Sequence, residues 1–144
     1  MPPIEELIAE ITIGNIYWFV NPQISSFEPH PHVCIGINDN DCVFMICGTS
    51  QFESRKRYFE LNDLPFETLV MIKPNESNTI TKQTFIDCNE VQVHDVGDLY
   101  YNKTFKQRGR ITKAELLQVK QGIEISELLE QSFKKELLTY FPKL

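Results

Sequence analysis

Long hydrophobic runs are missing from this 144-residue chain. No stretch approaches the ~18 consecutive apolar residues that cross a bilayer, which argues against a membrane protein. The opening Met1-Pro2-Pro3-Ile4-Glu5-Glu6 carries no basic residue and so lacks the start of a secretory signal. Cysteine is scarce, with four residues at Cys34, Cys42, Cys47 and Cys88. Without a secretion signal these read as reduced thiols of a cytoplasmic protein, and their apolar neighbours mark them as small core residues. Repeats, low-complexity tracts and Gly/Ser linkers are absent, so residues 1–144 read as a single domain. Positive charge is in deficit: 14 Lys+Arg against 20 Asp+Glu leave −6. That balance argues against indiscriminate binding along duplex DNA, where many phosphates are neutralised at once; a small basic site for a single strand stays compatible with it. What the chain does have is 42% hydrophobic and 24% charged residues, too apolar for disorder and enough for one core.

The periodicities predict short elements. Ile4, Leu7, Ile8 and Ile11 have helical spacing up to a break at Gly14. Asn15 to Val20 is rich in β-formers and is closed by Asn21-Pro22. Residues 23–31, with Pro29 and Pro31, predict an extended loop. His32 to Ile37 and Cys42 to Cys47 predict two strands joined by a polar hairpin turn, Asn38-Asp39-Asn40-Asp41. Arg57 to Leu61 alternates loosely as a strand, Thr68 to Ile72 is another apolar run, and Phe85-Ile86 and Glu90 to Val93 are short strand candidates. Thr112-Lys113-Ala114-Glu115 has the pattern of a capping box. Leu116, Val119 and Ile123 continue it as a helical stripe with Gly122 as a weak point, and Leu128, Leu129, Phe133 and Leu137 form a second helix that Pro142 ends. Short strands followed by helix predict a mainly β (α+β) fold: a small, partly open antiparallel barrel packed by a C-terminal helix.

Several blocks together resemble the MazF/PemK toxin family. Gly14-Asn15-Ile16-Tyr17-Trp18 is similar to the family's opening Gly-Asp-(Val/Ile)-Tyr strand, and Ile46-Cys47-Gly48-Thr49-Ser50-Gln51 to its strand ending in threonine before a polar turn. Asn89-Glu90-Val91-Gln92-Val93-His94-Asp95 resembles its Glu-Gln-Ile-Arg strand, and Gly109-Arg110-Ile111-Thr112 through Ile125-Ser126 its closing turn and helix. The likeness covers residues 13–126 in order, with 127–144 as a helical extension. One position departs: the family's Arg-Pro is His30-Pro31, leading into His32-Val33-Cys34-Ile35-Gly36-Ile37. The resemblance implies an SH3-like barrel, usually a homodimer. It also implies endoribonuclease activity on single-stranded RNA without a metal or other cofactor, and neutralisation by an antitoxin protein.

Cleavage by the RNA's own 2′-hydroxyl needs a base, stabilisation of phosphoryl charge, and an acid for the leaving oxygen. Arginine serves chiefly the charge, whereas histidine moves protons near neutral pH. The expectation is therefore His30 as general acid/base, pinned by its flanking prolines, with His32 on the same side of the strand supporting or sharing the role. Thr49 would donate to a phosphoryl oxygen with help from Ser50. His30-x-His32-x-Cys34 also has three zinc-ligand types on one strand face, but without a second ligand pair the expectation is no metal. Two basic clusters, Arg55-Lys56-Arg57 and Lys103, Lys106, Arg108 and Arg110, the latter beside Tyr100, Tyr101 and Phe105, would track an RNA backbone while aromatics stack on bases. Two other readings compete. One is a degenerate barrel that binds RNA or a protein without cutting. The other is a topoisomerase poison like CcdB, whose C-terminal Trp-Gly-Ile is replaced here by Tyr140-Phe141-Pro142-Lys143-Leu144.

Overall fold

The structure, a computed structural model, describes residues 2–143; Met1 of the opening segment and Leu144 of the closing one lie outside them. Helix α1 (Ile4–Glu10) precedes strand β1 (Asn15–Phe19), and the hairpin β2 (His30–Ile37) and β3 (Cys42–Thr49) follows. Next come α2 (Phe52–Leu61), a 3-10 turn, β4 (Leu69–Ile72), β5 (Thr84–Asp87), β6 (Gln92–Asp95) and α3 (Val96–Tyr100). β7 (Lys106–Arg110), α4 (Lys113–Ile125) and α5 (Gln131–Thr139) complete the chain. The strands form one antiparallel sheet in the order β4-β5-β3-β2-β1-β7, with β6 also on β3. β3 lets the sheet curl into a half-barrel. Its first half pairs with β6 (Val43 opposite His94), while its last residues turn away to pair with β5 (Thr49 opposite Phe85).

Side-chain alternation explains why β2 and β3 read as nearly continuous apolar runs: both of their faces are covered. Ile16, Val33, Ile35, Phe44 and Ile46 point to a main core closed by Leu116, Val119 and Ile123 of α4 and by Leu137 of α5. The alternate residues Tyr17, Phe19, Cys34, Val43 and Met45 point to a second, smaller core closed by Leu99 of α3 and by Leu7 and Ile8 of α1. The expected barrel with a C-terminal helix is present. The hairpin turn also forms as expected, Asn38 Oδ1 accepting from the amides of Asn40 (2.9 Å) and Cys42 (3.1 Å). So does the capping box, Glu115 N–H donating to Thr112 Oγ1 (3.0 Å) and Thr112 N–H to Glu115 Oε1 (2.9 Å).

Two local expectations are corrected, and one strand forms without a signal in the sequence. Arg57–Leu61 is the end of helix α2, not a strand: only Phe59 of that helix is buried, so its apolar stripe is too sparse to read, while its Glu, Lys and Arg residues favour a helix. β7 contains no apolar residue, yet it pairs along β1 as an edge strand. Gly122 does not weaken α4; the helix runs through it, and a Cβ there would come 2.7 Å from Cys88 Sγ, so its bareness lets the helix lie close to the end of β5.

The segment after residue 126 belongs to the main core. Leu129, Leu137 and Phe141 are buried in it, and Phe44 is flanked by Phe133 and Tyr140 at ring separations of 5.6 and 5.7 Å. Tyr140 lies across Gly36, where a Cβ would stand 2.3 Å from its ring and 2.9 Å from its Cβ. Gly36→Ala is expected to lower stability by about 1–3 kcal/mol through overpacking; a Tyr140→Ala background should relieve the part due to the ring, while the contact with the remaining Cβ at 2.9 Å and the strain of the residue's φ of +157° persist. Urea denaturation of the four chains of that cycle measures the coupling, and additive losses would show that the ring does not lie over this residue.

Candidate active-site cleft

Residues 20–29 leave β1 and return to β2 as an irregular loop, and His30 is the first residue of β2, opposite Phe19. The half-buried His30 has Nδ1 2.9 Å from the carbonyl oxygen of Glu28. Nδ1–H therefore donates there, and Nε2 is the acceptor nitrogen, with no protein partner among the described residues. At the other end of the neighbouring strand, Thr49 closes β3, and its Oγ1 accepts from the Gln51 amide at 3.1 Å, leaving the hydroxyl hydrogen available. Helix α2 starts directly behind. Its N-cap Gln51 supplies no side-chain hydrogen bond; Phe52 N–H donates to the Ser50 carbonyl at 3.1 Å, and the next two amides of the first turn, at the positive end of the helix dipole, have no side-chain cap.

His30, Thr49 and Ser50 line one cleft of about 290 Å³, together with Trp18, Pro29 and Lys82. His30 and Thr49 also line a second cleft of about 330 Å³ that holds Arg55, Asp87 and Glu90. The two residues thus form the divide between two depressions. Trp18 and Pro29 continue the first cleft into a larger one of about 540 Å³, walled by Lys103, Lys106 and Arg108. That cationic segment is anchored to the start of the loop, because Val20 N–H donates to Thr104 Oγ1 (2.9 Å) and Asn102 Nδ2 donates to the Val20 carbonyl (3.0 Å).

His32 does not share the site. It is 0% exposed, stacked on Phe19 at 4.0 Å, and both ring nitrogens are engaged. Nδ1–H donates to the His30 carbonyl at 2.8 Å, and Nε2 accepts from Asn21 Nδ2 at 2.9 Å. The Asn21 amide is oriented by the Gln23 N–H on its Oδ1 (2.8 Å), and its Nδ2 also donates to Gln92 Oε1 (2.6 Å). Gln92 Oε1 accepts in turn from His94 Nε2 at 2.9 Å. Burial, with the nearby His94, pushes His32 down to about 3; burial also lowers His94, against the pull of Asp98. His32 is therefore a neutral structural ring that holds the backbone of His30.

Other expected residues divide similarly. Arg55 is engaged within the protein: its Nη1 is held by Asp87 (3.2 Å) and Glu90 (3.3 Å). Burial raises the Asp87 carboxyl despite the pull of its neighbours Asn89 and Arg55. Lys56 and Arg57 are exposed on α2 and line neither cleft that meets at His30. Lys103, Lys106 and Arg108 line the large cleft, whereas Arg110 stands beyond it, beside Gly14. The Cys34 thiol of the possible zinc set is buried and pushed up to about 12. Among the described residues no three His, Cys, Asp or Glu side chains gather as metal donors.

Two further residues line the site without a signal in the sequence that marks them. Trp18, in the middle of β1, packs only partly against the main core and lines both adjoining clefts. Its Nε1 is the one buried side-chain polar atom without a partner among the described residues, an omission costing ~1–3 kcal/mol. Lys82 lay in a segment with no pattern. No protein-family model and no curated protein matches the chain. Among the described residues no helix is long and apolar enough to cross a membrane.

The neutral His32 makes stability depend on pH with a definite sign. Unfolded, the ring takes a proton below its ordinary value of 6.5; folded, it does so only near 3. Its contribution is therefore intact above 6.5 and is lost as pH falls, by about 1.4 kcal/mol per pH unit across that window. Urea midpoints measured from pH 7 to pH 4 should decline, and His32→Gln, less stable at pH 7, should show a shallower decline. Equal slopes in the two chains would contradict the assignment.

Proposed function

We propose that this chain is a metal-independent endoribonuclease toxin of the MazF/PemK type, cutting single-stranded RNA by attack of the strand's own 2′-hydroxyl. The observation that supports this most is the convergence of His30 with Thr49 and Ser50 in one cleft that opens onto a cationic groove. The ordered blocks that resemble the family, and the half-barrel with its closing helix, agree with it. On the same reading the chain works as a homodimer in the cytoplasm and is held in check by an antitoxin protein.

His30 Nε2 takes the proton of the 2′-hydroxyl, with Nδ1–H steadied by the Glu28 carbonyl. O2′ then bonds to phosphorus and the P–O5′ bond breaks. The imidazolium returns the proton to the departing O5′, leaving a 2′,3′-cyclic phosphate and a 5′-hydroxyl. The phosphoryl charge that an arginine meets elsewhere in the family falls here to the Thr49 hydroxyl, the Lys82 ammonium and the uncapped start of α2. His32 takes no proton in this scheme; it fixes the segment that carries the base.

End-group analysis of RNA incubated with the protein in EDTA tests the reading. Cyclic phosphate and 5′-hydroxyl ends are expected. His30→Ala should lower the cleavage rate by about 10²- to 10⁴-fold and abolish growth arrest on expression, and Thr49→Val should lower the rate by roughly 10- to 100-fold through a lost bond to a charged oxygen. Intact RNA despite measurable binding would establish instead a barrel that binds without cutting.

A further inference from the structure

We infer that Trp18 and the cationic wall beyond it form a second nucleotide subsite, in which the indole stacks on a base flanking the scissile phosphate while Lys103, Lys106 and Arg108 hold the next phosphates. The inference rests on the nuclease reading only for its position along the strand. Trp18 lies opposite Pro31 of β2 and Lys106 of β7, midway between the His30 segment and the cations. Both Trp18 and Pro29 line the His30 cleft and the larger one, so the two are a single groove.

Lys106 and Arg108 stand two residues apart on an edge strand and line the same cleft. Among the described residues neither they nor Lys103 form an ion pair. In a chain of net charge −6, three unneutralised cations on one cleft wall fit a polyanion, and the adjoining aromatic selects one that carries bases. The wall is braced: the Thr79 hydroxyl donates to the Arg108 carbonyl at 2.8 Å. Packing alone would be met by phenylalanine, whose ring has no N–H to strand. An indole placed here with its N–H unpartnered, lining both clefts, points to a use for its broader face.

Trp18 is the single tryptophan, so its emission reports on this subsite alone. The probe is a mixed-sequence 2′-O-methyl RNA decamer, which cannot be cleaved. Saturable quenching of the full chain is expected, weakening with salt. Lys106→Gln and Arg108→Gln, both at the surface, should each weaken binding several-fold and reduce the salt slope by about 0.7. Trp18→Phe and Trp18→Leu, followed by anisotropy of a labelled decamer, should weaken it progressively, up to about 5- to 150-fold for leucine. Unchanged Trp18 emission at saturation, insensitivity to both cation substitutions, or equal quenching by a polyglutamate peptide would each overturn the inference. The two readings separate cleanly. Cleavage without a change in emission keeps the nuclease and removes the subsite; quenching without cleavage does the reverse.

Discussion

The arrangement of the groove depends on a neutral imidazole sealed beneath it. His32 ties the His30 carbonyl at the end of the 20–29 loop to Asn21 at its beginning, and Asn21 reaches on to Gln92 of β6. Both ends of an otherwise irregular segment are thereby fixed to the barrel. The bond pattern requires a ring with one donor and one acceptor nitrogen; a charged ring would set a second N–H against the Asn21 amide and bring a cation into an apolar stack on Phe19. Desolvation keeps the ring neutral, so the same burial that disqualifies His32 as a catalyst makes it a dependable clamp.

That clamp works because the sheet is covered on both faces. The smaller core under α1 and α3 closes over His32, while the larger core under α4 and α5 supports the opposite face of β2 and β3. The terminal helices are therefore parts of the cores that hold the site. Charge is partitioned as well. Arg55 is neutralised by Asp87 and Glu90 on one side of His30, whereas Lys82, Lys103, Lys106 and Arg108 line the groove on the other. On the proposed function, this partition would draw a strand of phosphates lying across His30 to one side, although the whole molecule is acidic.

Much of this was legible in the amino-acid order. The two-residue period of the hairpin strands, the capping box and the late helical stripe each encode their structure locally, and the Thr49 turn and His30 do meet. What escaped was tertiary. β7 is polar throughout and exists because β1 offers it a pairing edge; α2 buries one side chain, too few for a periodic stripe. Same-side placement of His30 and His32 followed from strand geometry, but not that this side is sealed at one residue and open two residues earlier. The apolar run from Val33 onward, which marks a strand buried on both faces, was the available hint. Trp18 sits in a strand whose neighbours are core, and only the curl of the sheet brings it to the groove.

Nitrogen-15 NMR of the histidine rings tests the clamp most directly. From pH 8 to pH 5 the account predicts His32 neutral and protonated at Nδ1, with its Nε2 accepting a hydrogen bond. A His32 ring that takes up a proton near pH 6.5, or that carries its hydrogen on Nε2, would contradict it.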